Sequence, residues 1–188
     1  MSLREQLVDR KTALCGRWLD AILREYGAQT AVRWTQVQDP FANPVGHALK
    51  TGLPELFEAV TSDGEPAAGV VAALESIVRI RSVQGFTPSR AVGFVFLLRD
   101  AVRGELGAEL EGGAHAAELA AVDRRIEQLA MLAFDTYVRI RDQVFSLRQE
   151  ELKRSVASLL RRWHGSEHPE PDSEVVQLPT PPNRGLPR

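Results

Sequence analysis

The sequence has little of several features that define whole classes of protein. Its 188 residues include one cysteine, Cys15, which excludes an intramolecular disulfide or a thiolate metal cluster within one chain. Its 23 basic and 25 acidic residues leave a net charge of −2, too weak a field to gather nucleic acid or anionic membrane. No apolar run approaches the roughly 20 residues that span a bilayer, and the first residues lack the apolar segment of a signal peptide. We therefore expect a soluble, cytoplasmic protein without a metal site.

Recognisable catalytic arrangements are missing as well. The sequence contains no phosphate-binding loop of the form G-x-x-x-x-G-K-[ST], and no serine or threonine shares a recognisable motif with a histidine. The carboxylates are scattered along the faces that we expect to meet solvent. We therefore expect no enzymatic activity.

The residues that are present indicate helices. Apolar residues make up 44% of the chain, enough to fill one core of ordinary size. Ser2 and Glu5 form a capping box in front of an amphipathic pattern that continues to about Arg24. The next segment is mixed, and it is compatible with a short helix over 30–38.

Asparagine followed by proline predicts the start of another helix. Asn43 and Pro44 form a pair of N-cap and first helical residue, and apolar residues recur at helical spacing as far as residue 60. Because proline has no N–H to donate, Pro54 predicts a kink or a split near Gly52.

The stretch 75–103 predicts a helix, a tight corner and a second helix. Gly85 ends the first helix, because glycine adopts the left-handed conformation readily, and Thr87 with the following proline starts the second. Phe86 is expected to pack across the corner. Residues 91–98 carry no polar side chain, so a helix there cannot show a hydrophilic face. We expect this second helix to be central.

A change of pattern begins at about Ala114. From there to His164 the sequence contains no glycine or proline, and a helix of about 50 residues is about 75 Å long. Such a helix exceeds a compact domain of this size, so its far end is expected to project or to pair with a second copy. The residues predicted to form the dimer seam are Leu119, Val122, Ile126, Leu129, Ile140, Val144 and Leu147.

Two segments resemble one known family. They are NPVGHALKTGLPELFEAV at 43–60 and IVRIRSVQGFTPSRAVGFVFLLRDAVR at 77–103, and they resemble the RsbRD N-terminal domain, named for co-antagonists of the switch kinase RsbT in bacterial stress signalling. The resemblance implies an all-α sensory domain, dimeric and globin-like without haem, whose long terminal helix carries the signal outward. Such domains usually precede an output module. We expect no room for one after residue 162, so the expected partner is a separately encoded kinase, STAS protein or similar.

With this resemblance the chain divides into three expected parts. Residues 1–113 form a compact helical sensory core, and residues 114–164 form the long helix that packs on it and dimerises. Residues 165–188 hold more than half of the prolines and hardly any apolar residues, which predicts a disordered tail.

A candidate ligand or partner site follows from the helix starts and the basic residues. Free N–H groups at the two predicted helix N-termini suit an anion. Starting a helix is by itself also a sufficient explanation for the residue pairs Asn43–Pro44 and Thr87–Pro88. Arg79 and Arg81 point in different directions on a helix, so they do not form one basic face. Arg79 is expected to pair with Glu75 one turn earlier. The candidate residues are Asn43, His47, Arg79, Arg81, Phe86 and Thr87.

A globin-like fold raises the question of whether the chain binds haem. No histidine occurs between Ala48 and Ala114, where a haem-binding globin carries its proximal ligand. We therefore expect no cofactor. Cys15 lies on the apolar side of the first predicted helix and is expected to be an inert core thiol.

The sequence thus favours a non-enzymatic bacterial sensory or regulatory domain that acts by dimerisation and protein–protein interaction in signal transduction. The first alternative is a globin-like protein that binds haem or another apolar small ligand. The second is a structural adaptor whose helix and tail tether other proteins without sensing a signal.

Overall fold

The computed structural model describes residues 1–26, 39, 41–62, 64, 67–110 and 113–166. Every regular element among them is a helix, which confirms the all-α expectation. The short helix predicted over 30–38 and most of the tail predicted over 165–188 lie outside the described residues. The helices are α1 (Leu3–Asp9), α2 (Lys11–Arg24), α3 (Pro44–Thr61), α4 (Ala68–Val83), α5 (Pro88–Gly93), α6 (Leu97–Glu105), α7 (Gly107–Leu110) and α8 (Ala116–Ser166).

The chain separates into a larger unit, Met1–Phe145, and a second unit, Ser146–Arg188. One continuous hydrophobic core fills the larger unit, and α1 to α6 all contribute to it together with the first part of α8. The functional division into a sensory core, a dimerising helix and a tail stays a prediction.

Polar side chains cap the helices where the sequence predicts it. The Ser2 hydroxyl accepts from the Glu5 N–H at 3.2 Å, and the Glu5 carboxylate accepts from the Ser2 N–H at 2.9 Å. At the start of α3 the Asn43 side chain accepts from the Gly46 N–H at 2.8 Å. Each contact satisfies a backbone donor that the helix itself leaves unpaired, so both predicted starts are confirmed.

The first predicted helix is broken at Arg10. This residue has φ −100 and ψ 13, and it separates α1 from α2. Its guanidinium donates to the Glu105 carbonyl at 3.2 Å and to the Glu109 carboxylate at 2.7 Å. The side chain therefore joins the start of the chain to the end of α6, a long-range contact that helical periodicity does not encode.

Pro54 does not split α3, and the kink that the sequence offers as the alternative stays a prediction. The helix is continuous from Pro44 to Thr61, with Pro54 inside it. Nearby, Gly52 is buried against α4: a Cβ atom there would lie 2.9 Å from Ile77 Cδ1. Dense packing of α3 against α4 supports the helix through the position where proline removes one hydrogen bond.

Most of the apolar run 91–98 lies in the core, although Phe96 is 41% exposed, and the run belongs to two helices rather than one. The residues between α5 and α6 form a tight turn, in which the Val95 N–H donates to the Val92 carbonyl at 3.2 Å and the Leu97 N–H donates to the Phe94 carbonyl at 3.3 Å. The Phe94 carbonyl also accepts from the Trp18 indole N–H at 2.7 Å. A buried indole needs an acceptor, and this turn supplies one.

The long helix that the sequence predicts is confirmed as α8, which has 51 residues. Its first half is fixed to the rest of the larger unit by polar contacts. Arg99 of α6 donates to Asp123 at 2.7 Å and to Glu127 at 3.1 Å, and the Leu3 N–H donates to Glu118 at 2.8 Å. No helix in the described part of the chain is both long enough and apolar enough to cross a membrane.

Two glycine substitutions test this account of the helices. Gly16 is an interior residue of α2 with open space around it, so Gly16→Ala should raise the free energy of unfolding by about 0.5–1 kcal/mol. A methyl group at Gly46 overlaps the Asn43 side chain that caps α3, so Gly46→Ala should lower it by about 1 kcal/mol. Urea denaturation measures both, and equal stability of the two variants would contradict the capping role of Asn43.

Candidate functional site at a buried arginine

The side chain of Arg81 is buried in the core, although the basic pattern of its segment suggests a surface position. Arg81 follows Ile77 and Val78 around one face of α4, and residues three and four apart share a helix face. Its side chain is 1% exposed. A buried guanidinium is costly unless it is paired and hydrogen-bonded, so its surroundings require explanation.

Three groups accept hydrogen bonds from Arg81. Nη1 donates to the Tyr26 hydroxyl at 3.1 Å. Nη2 donates to the Glu25 carboxylate and, at 2.7 Å, to the Arg90 carbonyl. Nε is buried without a hydrogen-bond partner in the part of the chain that the structure describes. One arginine thereby joins the C-terminal end of α2, α4 and the first turn of α5.

Aromatic rings surround the guanidinium on its apolar sides. The Cζ atom of Arg81 lies 4.4 Å from the ring centre of Phe86, 5.3 Å from that of Tyr26 and 5.5 Å from that of Phe94. Arg90 also lies near Phe86, with its Cζ atom 4.6 Å from the ring centre. Cation–π attraction in a site sheltered from water partly offsets the desolvation of Arg81.

The same enclosure acts on the Tyr26 hydroxyl. Burial raises the pKa of Tyr26 above its usual value, and the positive charge of Arg81 opposes that shift. Tyr26 therefore stays a neutral donor and acceptor at physiological pH. Since an arginine guanidinium does not give up its proton in proteins, the site has the chemistry of a structural joint or an anion-recognition point rather than of acid–base catalysis.

The corner residues confirm the predicted local structure. Phe86 packs across the corner against Tyr26, with ring centres 5.0 Å apart. Gly85 has φ +79, the left-handed conformation expected where a helix ends. The Thr87 hydroxyl accepts from the Arg90 N–H at 3.5 Å, so Thr87 is the predicted N-cap.

The remaining candidate residues do not converge on this joint. Arg79 donates to Glu75 at 2.6 Å, as predicted, and both side chains are partly exposed. Asn43 caps α3 and is buried, while His47 is exposed on the same helix. Among the described residues, no hydrogen bond or ion pair joins His47 to Arg81.

Other titratable groups lie elsewhere in the larger unit. Cys15 is partly buried, and burial raises the pKa of its thiol, which disfavours the reactive thiolate. His115 contacts Glu118 through Nδ1 at 3.0 Å and Gln6 through Nε2 at 3.4 Å. Among the described residues, no group of three or more His, Cys, Asp or Glu side chains is placed to hold a metal ion.

The predicted dimer seam is divided between the core and the surface. Four of its members are buried within this chain: Val122, Ile126, Leu129 and Ile140. Leu119 and Val144 are half-buried, and Leu147 is 65% exposed. The buried members already pack in the core of their own chain, and the seam as a dimer interface stays a prediction.

Sequence reasoning missed a second apolar face on α8. Its members share helical spacing and exposure, and we call them the outer stripe: Met131, Phe134, Val138 and Phe145. They are 60%, 43%, 41% and 62% exposed, respectively. Their spacing of three, four and seven residues is itself a detectable signal, but it runs beside the stronger core pattern of the same helix.

Sequence reasoning also missed most partners of Arg81. Glu25 and Tyr26 end α2, and Phe94 lies in the turn after α5. The one available signal was the placement of an arginine on the apolar face of a predicted helix. Nothing in the spacing of Glu25, Tyr26 and Phe94 along the chain reveals that they meet it.

Truncating Arg81 should be far more costly than truncating Arg79. Arg81→Ala leaves the Glu25 carboxylate and the Tyr26 hydroxyl without their cation, so we expect a loss of about 3–5 kcal/mol in the free energy of unfolding. Arg79→Ala removes only an exposed pair within one helix, worth about 0.3–0.5 kcal/mol.

Urea denaturation measures both losses. Arg81→Lys supplies a milder variant, because it keeps the charge but loses the planar fork, and its stability should lie between that of Arg81→Ala and the parent protein. Similar losses for Arg81→Ala and Arg79→Ala would contradict the burial of Arg81.

Comparison with known protein families yields a match. A family model described as the RsbT co-antagonist protein rsbRD N-terminal domain matches residues 12–152, which is well over half of the 188 residues. No curated protein matches the chain, and no solved structure matches it. The matched range contains the Arg81 joint, the outer stripe and both segments on which the sequence resemblance rests. The chain therefore belongs to the family of RsbT co-antagonist rsbRD N-terminal domains.

Proposed function

We propose that this chain is a non-enzymatic bacterial regulatory domain that senses a signal, works as a cytoplasmic homodimer and acts on a separately encoded signalling protein. Family membership over residues 12–152 supports a regulatory role in stress signalling. The outer stripe of α8 is the observation that carries the proposed mode of action. An exposed row of large apolar side chains is characteristic of protein–protein contact.

The geometry of the outer stripe favours pairing of two α8 helices. Met131, Phe134 and Val138 recur at the spacing that places side chains on one side of a helix, and Phe145 continues the row one heptad later. Two copies of this stripe can bury each other along four turns. The dimer interface that we propose therefore uses the outer stripe in place of the seam members that are buried in their own chain.

The opposite face of the same helix packs on the core of the larger unit, through Ile126, Ala133 and Ile140. In our proposal α8 responds to the core on one face and contacts its partner on the other. A shift of α8 on the core then changes what the outer stripe presents, which is the common form of switching at helix interfaces.

A physical route connects the Arg81 joint to α8. Arg81 lies against the Phe94 ring, Phe94 belongs to the turn that leads into α6, and Arg99 of α6 binds Asp123 and Glu127 of α8. Any change that loosens the joint alters the position of α6 and, through Arg99, the first half of α8. We propose this route as the path by which a stimulus reaches the outer stripe.

The haem alternative requires a histidine that faces an internal cavity. His47 is exposed on α3, and both ring nitrogens of His115 have polar neighbours, Glu118 and Gln6. Neither position supports haem ligation by His47 or His115.

Introducing charge on the outer stripe tests the proposed dimer. The double variant Met131→Glu, Val138→Glu should be monomeric by light scattering of the full-length protein, since two carboxylates per chain then face their copies across an apolar contact. The matched control, Gln128→Glu with Gln143→Glu, adds the same charge at exposed positions of α8 outside the stripe and should stay dimeric. A dimer that survives the first variant, or a monomeric parent protein, would contradict the proposal.

A further inference from the structure

The second unit, Ser146–Arg188, carries its own exposed apolar surface. Leu152, Val156, Leu159 and Trp163 are 66%, 46%, 56% and 60% exposed. They recur at alternating spacings of four and three residues, which places them on one side of α8. We call these four residues the distal stripe. Large side chains gathered this densely on a helix surface are characteristic of a docking face.

Most of the charges beside the distal stripe are positive. With successive residues about 100° apart around a helix, Arg148 and Arg162 lie along one edge of the stripe and Lys153 lies along the other. Glu150 lies on the opposite side of the helix, where it accepts from Arg154 at 3.4 Å, and Glu151 lies next to the edge that carries Arg148 and Arg162. The stripe is therefore an apolar row between two basic edges.

Basic edges on both sides disfavour a second copy of this chain as the occupant. In a parallel pair of helices, Arg148 of one chain faces Lys153 of the other across the apolar row. In an antiparallel pair the same edges meet, so that Arg148 faces Arg162. Each orientation brings like charges together, which is the pattern by which helices reject a partner.

We propose that the distal stripe docks into an apolar groove edged with carboxylates on a separately encoded protein. Such a groove buries the four apolar side chains and pairs its acidic edges with Arg148, Lys153 and Arg162. An anionic bilayer is a poorer fit, because the chain has a net charge of −2, which gives too weak a field to gather an anionic membrane. This inference rests on the proposed function, and it names the chemistry of the partner in that function.

Two synthetic peptides provide the probe. Both form an amphipathic helix with the same leucine face, and they differ only at the edges, which carry glutamate in one peptide and lysine in the other. Fluorescence anisotropy of the labelled peptide, titrated with the full-length protein, should show the glutamate peptide binding at least about tenfold more tightly than the lysine peptide. Its affinity should fall as salt is added.

One substitution on the stripe and one beside it locate the binding face. Val156→Asp should weaken binding of the glutamate peptide at least about tenfold, because it places a carboxylate in the apolar row. Ala157→Asp adds the same charge on the adjacent, exposed side of the helix, and its affinity should stay within about twofold of that of the parent protein.

Four results would overturn the proposal. These are equal binding of the two peptides, no effect of Val156→Asp, conversion of a dimer to a monomer by Val156→Asp alone, and tighter binding to vesicles of phosphatidylcholine with phosphatidylserine than to the glutamate peptide. The third result assigns the stripe to a second copy, and the fourth assigns it to a membrane surface.

This test is separable from that of the dimer. The double variant Met131→Glu, Val138→Glu leaves all four residues of the distal stripe in place. If that variant stays dimeric while Val156→Asp still abolishes peptide binding, the proposed dimer interface fails and the docking face stands. If it becomes monomeric while the peptides bind equally, the reverse holds.

Discussion

A buried positive charge governs how the larger unit is assembled. Arg81 is enclosed by protein, and a buried guanidinium is costly unless it is paired and hydrogen-bonded. The fold must therefore bring Glu25, Tyr26 and the Arg90 carbonyl to it from separate parts of the chain. That requirement fixes the end of α2 against the corner between α4 and α5. A well-packed apolar residue at this place would cost less, so the arginine is better explained by the specific arrangement it imposes than by stability.

The positions of the turn at Phe94, of α6 and of the first half of α8 depend on this joint. The corner places Phe94 beside Arg81, and the tight turn at Phe94 presents a carbonyl to the Trp18 indole of α2. The same turn sets the direction of α6, whose Arg99 holds the first half of α8. One helix thereby carries both a face that packs on the core and an exposed apolar face. This arrangement suits the function proposed above, in which the output is contact with other proteins.

Local chemistry was predictable from the sequence wherever a few neighbouring residues decide it. The capping box at Ser2, the N-caps at Asn43 and Thr87, the glycine corner at residue 85 and the length of α8 all depend on neighbours along the chain. Each was found because the backbone groups that need a partner lie within a few residues of the side chain that supplies it.

The features that sequence reasoning missed depend on distant residues. Arg10, at the break between α1 and α2, binds Glu105 and Glu109, and α3 continues through Pro54 where it packs against α4. For α8 the spacing revealed apolar rows but not which row faces inward, since a 3.6-residue period is the same for a core face and a docking face. Only the positions of the other helices distinguish Ile126 from Met131.

Amide hydrogen exchange along α8 tests the link between the buried arginine and this helix most directly. The measurement compares Arg81→Lys with Arg79→Lys, two changes of the same type on one helix. Our account predicts that Arg81→Lys alone accelerates exchange in α6 and in the turns of α8 that carry Asp123 and Glu127, because loosening the joint frees local opening there. Faster exchange confined to the ends of α2, α4 and α5, with α8 unchanged, would contradict it.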